Sequence, residues 1–83
     1  MNVDERDKLI MAVEMVLNDK QTSATYLEKK MKISFKEALL IIEKMEQLNI
    51  ISKQIKSQPR EILINENEWK EMKKLLLNAI KKE

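Results

Sequence analysis

Asn49 divides the chain by the spacing of its apolar residues. Up to Leu48 they recur three or four apart, the interval that gathers side chains on one face of a helix. From Ile50 they become β-branched runs, "IISKQI" and "REILI", separated by "KSQP" with the chain's only proline. Helical spacing returns at Trp69. A chain that changes period twice in this way is expected to form helices, then a β-hairpin with a longer loop, then a last helix. Its 83 residues make one small domain, since domains rarely fall below about 50 residues.

The helix boundaries follow from local chemistry. A first helix is expected over about Val3–Asn18, with Asp4, Glu5 and Asp7 at the positive end of its dipole and Leu9, Ala12, Val13, Val16 and Leu17 on one buried face. Ser23 caps a short second helix from Ala24 to about Met31, with Tyr26, Leu27 and Met31 inward. Ser34 opens the third. "SFKE" reads as a capping box, in which Glu37 reaches back to the cap N–H. On a wheel, Phe35, Ala38, Leu39, Ile42 and Met45 fall together, with Ile41 and Leu48 on the flank. Lys36, Leu40, Glu43, Lys44 and Gln47 occupy the opposite arc. "NENE" supplies Asn65 and Glu68 as a start for the fourth helix, whose apolar stripe is Trp69, Met72, Leu75, Leu76, Ala79 and Ile80, with Leu77 outside it.

What is missing narrows the chemistry. Without glycine there is no phosphate-cradling loop and no dinucleotide fingerprint, because both need close backbone approach. Cysteine and histidine are also absent, which removes the usual nucleophile, general base and zinc ligands. Scattered carboxylates on amphipathic helices are normally solvated surface. The expectation is a non-enzyme with no catalytic residue, metal, cofactor or small-molecule substrate. No apolar run approaches the ~20 residues of a membrane span, and the acidic N-terminus is unlike a signal segment, so a cytoplasmic protein without membrane association is expected.

Charge is unevenly placed. Residues 1–27 carry three basic and five acidic groups, residues 28–60 eight and four, and residues 61–83 five of each. No acid lies between Ile50 and Arg60. A positive middle is a modest pointer to a polyanion.

Three helices, a basic-tipped hairpin and a final helix are the order of a winged helix-turn-helix, mainly α with a small β-hairpin. Residues 1–64 would form the DNA-binding domain and 65–83 an added amphipathic helix. In that architecture the third helix enters the major groove and the wing meets the backbone or minor groove. Lys36, Lys44, Lys53, Lys56 and Arg60 supply cations for phosphate, and Gln47 a directional group for a base edge. Ser34 and Lys32, at the start of the third helix, complete the expected contact set. The cluster Lys29, Lys30 and Lys32 is equally well explained as cations at a helix C-terminus.

"QTSATYLEKKMKISFKEALLIIEKMEQLNII" followed by "KSQPREILI" resembles the gamma domain at the C-terminus of FtsK/SpoIIIE DNA translocases. The resemblance covers roughly residues 8 to 64, and "SQPREIL" (57–63) is its most specific part. It implies a winged helix that binds double-stranded DNA and reads a short orienting sequence. The departures fall on the reading face. The family's Asn and Arg after the aromatic residue are Lys36 and Glu37 here, the next Arg is Leu40, and the acidic position is kept as Glu43. The family glycines before and within the wing correspond to Asn49 and Lys56. The family's orienting sequence is therefore not carried over. A domain without a motor of its own is expected, and such a chain would not translocate DNA itself.

The expectation is a sequence-specific duplex-DNA-binding protein, plasmid- or phage-borne, serving maintenance or partition, a conjugative transfer origin, or transcription. The alternative is a winged-helix protein-interaction module that has lost DNA reading. Leu40 fits a thymine-methyl contact, a subunit interface or an ordinary exposed leucine. Arg60 fits a DNA contact or an ion pair with Glu61 or Glu43. Trp69, Met72, Leu76 and Ile80 either pack on their own domain or pair two copies as a homodimer, which is the expected state.

Overall fold

The computed structural model describes residues 3–81, with side chains from Asp4 to Asn78. Four helices account for most of it: α1 (Val3–Asp19), α2 (Ala24–Met31), α3 (Phe35–Gln47) and α4 (Glu66–Lys81). Their starts are built as the local sequence directs. Ser23 Oγ accepts the Tyr26 N–H at 3.1 Å, and Ser34 Oγ accepts that of Glu37 at 3.0 Å. At α4 the box closes in both directions: Asn65 Oδ1 accepts the Glu68 N–H at 2.8 Å, and Glu68 Oε1 accepts the Asn65 N–H at 2.9 Å. The box expected at α3 is only half made. Glu37 turns instead to Lys8 Nζ on α1, at 2.5 Å, because a charged partner holds a carboxylate more strongly than a neutral amide does.

The first three helices end on residues with positive φ: Lys20 at 59°, Lys32 at 54° and Asn49 at 61°. After α3 the Asn49 N–H reaches Glu46 O at 3.0 Å and the Ile50 N–H reaches Met45 O at 2.9 Å. This pair of bonds is a Schellman closure, and it reverses the chain so that buried Ile50 packs beside buried Met45.

One core joins all four helices. Leu9, Ala12, Val13, Val16 and Leu17 of α1 meet Leu27 of α2, Ala38, Ile41, Ile42 and Met45 of α3, Ile50 and Ile51 beyond it, and Trp69 of α4. α2 and α3 pack on each other, α1 lies against α3, and α4 lies against α1. Two residues expected inside are not. Phe35 is 48% exposed and Leu39 38%. The buried arc of α3 is centred between Ala38 and Ile41, so the other edge of its apolar face is left uncovered. On α4 the assignments of two leucines are exchanged: Leu75 is 70% exposed, whereas Leu77 is half-buried. Ile80, also placed in the stripe, has its side chain outside the described residues.

The β-hairpin is the main correction. Among the described residues no strand forms, and residues 50–64 make an antiparallel excursion held by two isolated bridges, Ile51 with Ile62 and Ile55 with Gln58. Backbone bonds run from Leu63 N–H to Ile50 O at 2.8 Å and from Ser52 N–H to Glu61 O at 2.9 Å. The ladder then stops, because side chains take its next partners. The Glu61 N–H goes to Ser52 Oγ at 2.8 Å, and Ser52 O accepts from the Arg60 guanidinium at 3.0 Å. Pro59 has no N–H to offer. At the tip, Lys56 turns at φ 51°, the Gln58 N–H closes on Ile55 O at 3.0 Å, and the Gln54 amide donates to Lys56 O and Gln58 O at 3.2 and 2.6 Å.

Candidate nucleic-acid interface

The outward arc of α3 carries Lys36, Leu40, Glu43, Lys44 and Gln47, all exposed. Lys36, Leu40 and Lys44 follow one another at intervals of four and so lie nearly in line along the helix. Leu40 is 57% exposed between the two lysines. None of Lys32, Lys36, Lys44, Lys53 and Lys56 has a carboxylate within ion-pair distance among the described residues. The same face keeps its acids partly occupied. Glu37, next to this arc, is held by Lys8, whose own pKa is raised by the hydrogen bond with that carboxylate.

The residues of the 50–64 excursion have different fates. Lys53 and Lys56 are exposed near its tip. Arg60, expected in a DNA contact or an ion pair, has a side chain only 12% exposed. Its guanidinium donates to Glu46 Oε1 at 2.6 Å and to Ser52 O at 3.0 Å, while its own carbonyl accepts from Thr22 Oγ1 at 3.2 Å. Arg60 therefore fastens three segments: the turn before α2, the last turns of α3 and the excursion. The ion-pair alternative is the right kind of contact with a different partner, Glu46 in place of Glu61 or Glu43. Glu46 was not legible as a site residue. The available signal was an acid on the apolar flank between Phe35 and Leu39. Ser34 uses Oγ in its cap, and Lys32 sits exposed at its positive-φ turn.

Trp69 is not part of a spare stripe. It is 5% exposed in the common core, and its indole N–H donates to Glu14 Oε2 at 3.2 Å. Lys73 Nζ reaches the same oxygen at 2.8 Å. These contacts hold the Glu14 carboxyl below its ordinary range, Lys73 contributing most. Met72 and Leu76 are half-buried against the same core. Elsewhere, the Tyr26 hydroxyl bonds Asp19, lowering that carboxyl; partial burial and the carboxylate push the phenol up to about 12. Among the described residues no helix is long and apolar enough to cross a membrane.

The chain is similar in sequence to known proteins. A family model described as the Ftsk gamma domain matches residues 4–65, the span from α1 to the end of the excursion. The DNA translocase FtsK of Clostridium tetani is 33% identical over 69 residues, 82% of this chain and 9% of that protein. That of Leptospira interrogans is 41% identical over 63 residues, 74% of this chain and 7% of the relative. That of Borreliella burgdorferi is 40% identical over 53 residues, covering 64% and 7%. The chain thus spans less than a tenth of the length of the relatives it matches. Asn49 and Lys56, the positions matched by resemblance with family glycines, both adopt positive φ here, a conformation glycine enters without steric cost. By the extent of the family match and the identity to these relatives, the chain belongs to the FtsK gamma-domain family.

Proposed function

We propose that this chain is a sequence-specific duplex-DNA-binding module of the winged-helix kind, with α3 as the major-groove element and the 50–64 excursion as its wing. The observation that carries the reading is the outward face of α3, with Lys36 and Lys44 free of ion pairs among the described residues, beside an excursion fixed to the same helix by Arg60 and bearing Lys53 and Lys56 at its tip. Family membership and relatives named DNA translocase support the same partner. In this reading the lysines meet phosphates, Gln47 reads a base edge, and Arg60 positions the wing. Ser34 and Lys32 sit at the end of α3 nearest the backbone. Trp69 is already enclosed in the domain core, so pairing of two copies is not needed to cover it.

A mobility-shift titration of a mixed-sequence duplex at low and moderate salt tests this. A shift at low salt that weakens steeply as salt rises is expected, since bound lysines release counterions. No shift at low salt would overturn it and favour a protein-interaction module, in which exposed Leu40 is an apolar contact.

A further inference from the structure

We propose that Leu40 is a specificity-determining residue, which recognises the C5-methyl group of a thymine in the major groove. The inference rests on the DNA-binding reading above and adds to it what the centre of α3 reads. Leu40 lies four residues from both Lys36 and Lys44, about 6 Å along the helix axis from each. If those lysines hold the helix against phosphates, the side chain between them faces the base edges. It is 57% exposed while Ala38, Ile41 and Ile42 close the core behind it, so it has no packing duty there. Of the groups that base pairs display in the major groove, the thymine methyl is the apolar one, and Leu40 is the apolar member of the arc.

The neighbouring acids strengthen the assignment. Glu37 lines the same shallow concavity as Leu40, and its carboxylate is paired there with Lys8, which offsets its charge on that side. Glu43, on the other side, repels phosphate and offers only an acceptor, so it supplies no donor for a guanine at this point. The middle of α3 therefore carries no cation and no bidentate donor. Beside the Glu43 acceptor, which suits a cytosine amine, a methyl contact is the recognition chemistry open to it.

The test begins with selection from a random-sequence duplex library at low salt. Each thymine of the selected site is then replaced by deoxyuridine, which removes the methyl alone. One replacement should weaken wild-type binding about four-fold, the effect of one buried methyl-sized group. The same replacement should leave Leu40→Ala unaffected and should still weaken Leu40→Met. Equal melting temperatures of wild type and Leu40→Ala would show that folding is untouched; if Leu40→Ala melts lower, Leu40→Met decides. Replacements that act equally on wild type and variant, or on neither, overturn the methyl contact while leaving DNA binding intact. A library with no enriched sequence overturns the inference, and complete absence of binding at low salt overturns the DNA-binding reading as well.

Discussion

Arg60 and Glu46 join positions 14 residues apart, guanidinium to carboxylate at 2.6 Å, and both side chains are more than two-thirds shielded. The contact fixes where the excursion lies relative to α3. It also engages the guanidinium of Arg60, one of the cations expected to meet DNA, inside the domain.

Arg60→Ala is therefore expected to lower stability by about 1–3 kcal/mol, the usual worth of charge-assisted hydrogen bonds. For a domain of this size that is a fall in Tm of roughly 5–15 °C. Arg60→Lys should recover little, because one ammonium lacks the guanidinium's planar fork. Thermal melting of both variants checks this. An unchanged Tm with weakened DNA binding would return Arg60 to the contact set.

Lys53→Ala with Lys56→Ala should weaken binding by a similar factor on every duplex tested. The slope of log affinity against log salt should become shallower by about 2, one for each phosphate no longer neutralised. Fluorescence-anisotropy titrations with labelled duplexes over a salt series measure both quantities. An unaltered slope would remove the excursion from the interface.

Stability should decline at both ends of the pH scale. Glu14 and Asp19 have folded-state carboxyls below their ordinary values of 4.5 and 3.8, so the folded state binds their protons more weakly than the unfolded chain. Their stabilisation is present above those values and is lost as pH falls through the folded ones. Tyr26 has the opposite sign: raised to about 12 from 10.0, its contribution is intact below pH 10 and lost as pH rises toward 12. Denaturation midpoints measured across pH should show Glu14→Gln flattening the acid limb and Tyr26→Phe flattening the basic one.

Lys32→Gly and Lys20→Gly should each raise stability by about 0.5–1 kcal/mol. A left-handed residue other than glycine costs roughly 1–2 kcal/mol, and the added freedom of glycine in the unfolded chain offsets part of the gain. Asn49→Gly should gain less, since asparagine tolerates this conformation. Urea midpoints are the readout, and a decrease at Lys32 would mean that its side chain has a stabilising role.

The helix starts were legible because each depends on residues three apart: Ser23 with Tyr26, Ser34 with Glu37, and Asn65 with Glu68. The exposed arc of α3 was legible for the same reason, since periodicity is local. Which edge of its apolar face would be covered was not, because that depends on how α1 and α2 pack, and Phe35 and Leu39 remained outside. The β-branched runs announced an antiparallel excursion but not its interruption, which depends on Ser52 Oγ and the Arg60 side chain taking ladder positions. That Trp69 packs inside its own domain was not legible, because it depends on a contact 55 residues away, with Glu14.

That contact has a practical consequence. Trp69 is the only tryptophan, and its ring is enclosed where α4 meets α1. Indole emission from this protein is thus a local signal of whether the last helix is seated. Followed beside backbone circular dichroism, it distinguishes detachment of α4 from collapse of the three-helix unit.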